Sequence, residues 1–340
     1  MEFLRRRLGL ILRTLVSLLL ILWLVRKIDW VKFWAIVRTA DMDWLILGFL
    51  CFIPTLLIVS WRWRMLLGVH EVHLRFWRIF ELTMIGQFFS AFLLGTTGGD
   101  VIKIYYVARA VPSRRTAVGF TVIVDRVIGM VALLLFGVAL SVTQLPLFFS
   151  QHFTKVYTAI FYLLALGGVV GSLVACLGPT LLKNPMIRSL VNRLPMAHKG
   201  ASLIAAYETT ARAFGTNVLA LVGSLPSHVC ATLMGYCILR ALHLQPPLLT
   251  FCAILAIVNM LIALPISISG LGVRELLFVT FFGLVHIDID HATAFSLTYF
   301  TLNLLWSLFG GPFYFLYRHE THTPAPPSDL AEVNPIFSER

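Results

Sequence analysis

Long apolar runs alternate with short polar stretches along most of the chain. The apolar segments lie at about 8–25, 45–60, 79–95, 117–140, 157–178, 217–239, 248–266, 272–286 and 292–317. Several of them reach the roughly 20 residues that a helix needs to cross the hydrocarbon core of a bilayer. The pattern therefore predicts an all-α, polytopic integral membrane protein built as a bundle of helices.

The polar stretches between these segments predict a single membrane domain over 1–317. Aromatic and apolar residues recur at helical spacing in 26–44, which is typical of an amphipathic helix lying on the membrane surface. The stretch 201–214 predicts a second helix of this kind. The proline-rich stretch 318–340 is expected to form a disordered cytoplasmic tail.

Composition supports the membrane assignment. Of the 340 residues, 59% are hydrophobic and only 13% are charged, and the mean hydropathy is +0.87. A soluble domain of this size would have about a quarter of its residues charged. The net charge of +11 could indicate nucleic-acid binding, but lysine and arginine also collect in the cytoplasmic loops of membrane proteins. We therefore expect the bilayer as the partner, and no nucleic acid.

The basic residues also predict an orientation. With the N-terminus in the cytoplasm, 19 lysine and arginine residues fall on the inside and 6 on the outside, while Arg126 and Arg274 lie within apolar segments. Both termini are therefore expected to be cytoplasmic. This count requires the basic stretches 61–80 and 103–115 to share one side of the membrane, although an apolar segment separates them.

Two re-entrant hairpins would satisfy that requirement. The first would enter from the cytoplasm and turn at 95–100, and the second would enter from outside and turn at 270–272. Non-helical backbone at membrane depth is tolerated where protein or a water-filled cavity covers it. Broken-helix hairpins that enter from opposite faces are typical of transporters with an inverted repeat. We expect this architecture here.

The first hairpin contains residues that could bind an anion. Gly98 and Gly99 allow the backbone to turn and to expose its N–H groups, and Lys103 follows about one helical turn after Asp100. A structural alternative is that the glycines serve helix packing and Asp100 caps the helix. A carboxylate costs about 2.5–3.5 kcal/mol at the centre of a membrane helix, so Asp100 is expected to face a cavity or a basic partner.

The second hairpin repeats this composition with Gly270, Gly272, Arg274 and Glu275. Adjacent residues point in different directions on a helix, which argues against a simple mutual pair of Arg274 with Glu275. Asp100 or Lys103 of the first hairpin is the expected partner.

Other charged motifs allow two interpretations each. Arg126 follows Asp125 in an apolar helix and could form a structural charge pair or line the path of a lipid head group. The sequence WRWR at 61–64 predicts an interfacial anchor. The stretch 286–291 has metal-ligand residue types, but a solvated loop is the preferred interpretation. The sequence contains no nucleophile arrangement, P-loop or zinc motif, and we expect no cofactor and no metal.

In these motifs the sequence resembles the membrane region of lysylphosphatidylglycerol synthases and their stand-alone flippase-like relatives. The resemblance covers roughly 8–317 and rests on three motifs in order: GGDVIKIYYVAR at 98–109, DR at 125–126 and GLGVRE at 270–275. The WRWR stretch fits the Arg-Trp pattern of the family. Leu94 stands where the family usually has proline, and Ser269 where glycine is common.

The resemblance implies lipid flipping in a bacterial cytoplasmic (inner) membrane. The expected substrate is a lipid with an anionic or zwitterionic head group, such as a phosphatidylglycerol derivative or a polyprenyl-phosphate-linked sugar. Full-length synthases add a soluble aminoacyl-transfer domain, and none is expected after Tyr317, so we expect a transporter and not an enzyme.

Two other functions remain open: a membrane-embedded lipid-modifying transferase and an accessory subunit of a lipid-synthesis complex. Passive transport and proton-driven transport fit the sequence equally well. The oligomeric state and any partner enzyme stay open too.

Overall fold

The computed structural model describes residues 30–92, 97–181, 197–264 and 272–317. These ranges contain α1 (Trp30–Arg38), α2 (Met42–Cys51), α3 (Ile53–Val69), α4 (Phe76–Phe92), α5 (Thr97–Ala110), α6 (Arg115–Ser141), α7 (Leu145–Phe148), α8 (His152–Leu181), α9 (Ala197–Arg212), α10 (Phe214–Val222), α11 (Leu225–Ala241), α12 (Leu248–Ala263), α13 (Val273–Phe282) and α14 (Ile289–Leu316). No strand occurs in them. The predicted all-α class is confirmed.

Five helical stretches are long and apolar enough to cross a membrane: Met42–Val69, Pro112–Phe148, His152–Gly178, Phe214–Ala241 and Ile289–Leu316. Much of their apolar surface faces outward, as Leu163 and Leu173 on α8 do. Such a surface would be unfavourable in water and is the expected one against lipid chains. The described part of the chain is thus a helical bundle of a multi-pass membrane protein.

Both stretches that were predicted as surface helices contain a helix, and their position on the membrane surface stays a prediction. The first is α1, whose Phe33 packs into the largest apolar core, and Asp41 caps the next helix by accepting a hydrogen bond from the Asp43 backbone N–H. The second is α9, which packs against α6 and α8. The apolar segment 8–25 and the tail 318–340 lie outside the described residues.

The same set of helices occurs twice in the chain. The helices α2, α3 and α4 begin at Met42, Ile53 and Phe76, and each has a counterpart, α10, α11 and α12, that begins 172 positions later at Phe214, Leu225 and Leu248. Proline lies in the first turn of both α3 and α11. After these helices the backbone turns through a left-handed residue in each copy, Glu71 (φ 59°) and His243 (φ 58°).

The two copies run in opposite directions. The backbone N–H of Asp41, before α2, donates to the carbonyl of Ala241 at the end of α11, over 3.0 Å. Further along, the Thr55 hydroxyl donates to the carbonyl of its counterpart Ser227, over 3.2 Å. In addition, α4 packs against α14, and the counterpart of α4, which is α12, packs against α6. These contacts support the expected inverted repeat.

The repeat includes the two predicted hairpins, α4–α5 and α12–α13. Their second helices are short, with 14 residues in α5 and 10 in α13. At 1.5 Å per residue such helices span about 21 Å and about 15 Å, less than the roughly 30 Å of a hydrocarbon core. That each hairpin enters and leaves through the same face of the bilayer stays a prediction.

Candidate functional site

The two helices of the first hairpin touch through their backbones. A Cβ atom at Gly99 would lie 2.0 Å from the carbonyl oxygen of Gly86 and 2.3 Å from the Ser90 hydroxyl, so α4 and α5 can approach this closely only with glycine there. Gly98 is half-buried beside this contact. The close approach fixes the start of α5 against α4.

Lys103 lies one turn further along α5. Its aliphatic stem crosses Gly86, where a Cβ atom would be only 2.7 Å from Lys103 Cε. The ammonium faces the indole of Trp63, 5.3 Å from the ring centroid. Among the described residues, no carboxylate is within ion-pair distance of Lys103. A half-buried lysine in this position is suited to meet an anion that enters the bundle.

Asp100 and Arg126 join the same hairpin to α6. Arg126 Nε donates to Asp100 Oδ2, and 40% of the Arg126 side chain but only 15% of the Asp100 side chain is exposed. Asp100 lies in the first turn of α5, where the positive end of the helix favours a negative charge. The Arg126 side chain is therefore partly accessible, while its carboxylate partner is mostly covered.

Asp125, next to Arg126 in the chain, pairs with a different residue. Both of its oxygens accept from Arg62 of α3, at 2.6 Å from Nε and 3.1 Å from Nη2, and Arg62 Nη1 donates to Ser224 Oγ over 2.9 Å. Arg62 and Trp63 are buried. The prediction of an interfacial anchor is therefore wrong for these two residues, because one face of α3 points into the bundle and the bidentate pair compensates the buried charge.

The second hairpin contains a closed polar cluster. Gly272 takes a left-handed conformation (φ 81°) before α13, and its N–H donates to Glu275 Oε2 over 2.7 Å. The other oxygen of Glu275 accepts from Arg274 Nη2, also over 2.7 Å. Ser296 of α14 completes the cluster with contacts of 3.2 Å to both side chains.

The expected partners of Arg274 and Glu275 were therefore wrong. These two buried residues pair with each other, although they are adjacent in the chain. Glu275 folds back to the start of α13 to reach the Gly272 N–H. The long arginine side chain then follows it, with its guanidinium carbon 4.4 Å from the centroid of the Phe300 ring.

The family model for the lysylphosphatidylglycerol synthase TM region matches residues 10–310. The chain belongs to this family. No curated protein and no solved structure matches it. Family membership agrees with the resemblance of the three motifs and with the multi-pass membrane fold.

In this member of the lysylphosphatidylglycerol synthase TM family, the residues predicted to form the site fall into two groups. The helices α5 and α6 carry the first group, while the second lies at the start of α13 and contacts Ser296 of α14. The first group is Gly98, Gly99, Asp100, Lys103 and Arg126, and the second is Gly272, Arg274 and Glu275. Gly270 lies outside the described residues. No hydrogen bond or ion pair found in the described part joins the two groups.

Arg62, Trp63 and Ser224 extend the first group, and sequence reasoning did not assign them to it. A signal existed for Arg62, because an arginine in an otherwise apolar helix needs a buried partner. Ser224 had no such signal, since its role depends on the packing of the junction between α10 and α11 against α3.

The two groups differ in charge. Lys103 and Glu275 are 172 positions apart and so occupy equivalent places in the repeat, with opposite charges. The first group has two cations, Lys103 and Arg126, and one carboxylate, Asp100, whereas the second has one of each and is neutral. Because Asp125 neutralises Arg62, the excess positive charge of the described site lies at the first hairpin.

Proposed function

We propose that this protein moves a lipid with an anionic or zwitterionic head group between the leaflets of the membrane. The observation that supports this best is the excess positive charge of Lys103 and Arg126 over Asp100 inside an apolar bundle. A phosphatidylglycerol derivative and a polyprenyl-phosphate-linked sugar both carry a phosphate that this site could receive.

The proposed contacts follow from the chemistry of phosphate. The planar fork of Arg126 can donate two parallel hydrogen bonds to phosphate oxygens. Lys103 adds a point charge, and the backbone N–H groups of Gly98 and Gly99 at the start of α5 provide the positive end of a helix. Together these groups would replace the hydration that a head group loses on entering the bundle.

The same contacts would lower the main barrier to flipping. A charged group placed at the centre of a bilayer costs at least about 2.5–3.5 kcal/mol, and paired charges lining the protein interior reduce that cost. The short helices α5 and α13 support re-entrant hairpins, whose turns would bring the site to the depth of the hydrocarbon core. We propose that Gly272, Arg274 and Glu275, at the start of α13, line the other side of the head-group path.

We also propose that the protein is a transporter and not a lipid-modifying transferase. The carboxylates of the two groups serve as counter-charges, Asp100 to Arg126 and Glu275 to Arg274, which fits a path for a charged head group better than the activation of a nucleophile. Purified protein incubated with aminoacyl-tRNA and phosphatidylglycerol should therefore form no aminoacylated lipid. Product above the level of a protein-free control would support the enzymatic alternative.

Reconstitution in liposomes tests the transport proposal directly. Vesicles would contain a head-group-labelled phosphatidylglycerol, and a membrane-impermeant quencher would report how much label reaches the outer leaflet. We expect complete quenching with protein and about half without it. An imposed proton gradient would distinguish coupled transport from passive movement. Equal quenching in protein-free vesicles would contradict the proposal.

A further inference from the structure

We propose that Asp100 is an exchangeable counter-ion that competes with the lipid head group for Arg126. This inference rests on the proposed function and adds a specificity-determining role within the same site. In the absence of lipid the Asp100 carboxylate would pair with the Arg126 guanidinium. The phosphate of an incoming lipid would then replace the carboxylate as the partner of Arg126. The carboxylate would then return to Arg126 when the lipid leaves.

The contrast between two neighbouring ion pairs supports this exchange. In the Arg62–Asp125 pair only 6% and 10% of the two side chains are exposed, and the pair is bidentate. In the Arg126–Asp100 pair, 40% of the arginine side chain is exposed. A ligand can reach Arg126 without first separating a buried pair, while separating Arg62 from Asp125 would leave charges uncompensated in the bundle.

The place of Asp100 on its helix supports the same role. It lies in the first turn of α5, beside the backbone N–H groups of the helix N-terminus, and its carboxylate accepts from Arg126. An oxyanion of the substrate would need both of these contacts. Asp100 thus holds the guanidinium that a phosphate would bind, close to the positive end of α5, and the fork of a guanidinium can donate to the oxygens of either oxyanion.

The exchange would affect binding and release in opposite ways. With Asp100 charged, the lipid must displace a carboxylate, so binding is weakened and release is faster. Neutralising Asp100 should therefore lower the dissociation constant for a phosphate-containing lipid and also lower the maximal rate of translocation. Tight binding with slow turnover is a combination that a purely structural ion pair would not produce.

Titration of a short-chain lipid tests this. Dihexanoyl-phosphatidylglycerol would be titrated calorimetrically into the full-length protein in an uncharged detergent, with dihexanoylglycerol as the probe without phosphate. The variants are Asp100→Asn and Asp100→Ser, and Glu208→Gln is the matched control, because Glu208 pairs with Arg212 in an exposed contact of 3.8 Å on α9. Thermal unfolding of each variant shows whether it is folded.

We expect Asp100→Asn to bind the phospholipid at least about threefold more tightly than the unaltered protein does. Its affinity for dihexanoylglycerol should not rise. Glu208→Gln should bind the phospholipid as the unaltered protein does. Equal or weaker binding in folded Asp100→Asn and Asp100→Ser would overturn the inference while leaving the proposed function intact. Tighter binding by these variants together with no lipid movement by the unaltered protein would support the inference and overturn the proposed function.

Discussion

Arg62 and Asp125 form a buried bidentate ion pair, 63 positions apart in the chain, that joins α3 to α6. The remaining arm of the guanidinium reaches Ser224 Oγ, where the junction of α10 and α11 meets the pair. Three parts of the bundle therefore converge on one arginine. Because such a pair is desolvated, the loss of one partner is more harmful than the loss of both.

Asp125→Ala is expected to lower the free energy of unfolding by about 3–5 kcal/mol, because it leaves Arg62 buried without its counter-charge. The Arg62→Ala, Asp125→Ala double variant should lose less than the sum of the single variants. Thermal unfolding in detergent measures both effects. The control is Glu208→Ala, whose exposed pair with Arg212 should contribute about 0–1 kcal/mol. Additive losses in the double variant would contradict the proposed coupling.

Arg126 is expected to act through its fork of donors as well as its charge. Arg126→Lys should remain folded but move lipid at least about threefold more slowly, because lysine cannot form the bidentate contact. Arg126→Ala should in addition lose stability, because Asp100 would lack its cation. Lipid movement in liposomes and thermal unfolding would be measured for both variants. Normal transport by Arg126→Lys together with a stability loss in Arg126→Ala would show that the arginine is a structural partner of Asp100.

Because α4 and α5 approach closely, one methyl group added at Gly99 is expected to destabilise the protein. Gly99→Ala should unfold at a clearly lower temperature, because its Cβ would lie 2.0 Å from the Gly86 carbonyl oxygen. Gly167→Ala on α8 is the matched control, since no atom lies within 4 Å of an added Cβ there, and it should be neutral or slightly stabilising. Similar unfolding temperatures for the two variants would argue against the backbone contact at Gly99.

The re-entrant hairpins predict which positions are accessible from each side. Single cysteines would be placed in a background in which the five native cysteines are replaced. Cysteines at Arg109 and Arg193 should react with an impermeant reagent only from the cytoplasmic side, and cysteines at Gln151 and Asp288 only from outside. Reaction of positions 109 and 193 from opposite sides would be incompatible with the two hairpins.

His70, just after the end of α3, is expected to make the stability of the protein depend on pH. Burial, together with the nearby positive charge of Arg114, lowers the pKa of this imidazole, and its Nε2 lies 2.8 Å from Thr210 Oγ1 of α9. Below about pH 6.5 this imidazole binds a proton more readily in the unfolded chain than in the folded protein. The free energy of unfolding therefore falls as the pH falls.

The test is thermal unfolding at about pH 7.5 and about pH 5.5, on either side of the ordinary histidine pKa. His70→Gln should lose less stability on acidification than the unaltered protein does. The exposed His73 provides the control variant His73→Gln, which should keep the original dependence. An unchanged pH dependence in His70→Gln would show that other groups cause it.

The sequence alone determined the class of the protein and the approximate positions of its long helices. Apolar length and the spacing of polar residues are local properties, so the long helices such as α6 and α14, and the shorter helices α1 and α9, were predicted near their observed positions. Gly98 and Gly99 also marked the first hairpin, but both lie within α5, and Gly99 serves the close approach of α4 and α5 and not a turn of the backbone. The positions of the helices depend on each segment and the bilayer, not on distant parts of the chain.

Only the tertiary structure decided how the charges pair. Asp125 could have paired with its neighbour Arg126, and instead each binds a residue of a different helix. Arg274 and Glu275 were expected to pair with distant partners, and instead they pair with each other. The partner of a buried charge depends on which helix faces pack together and on how far each side chain can bend, and neither is encoded in the spacing of residues along one helix.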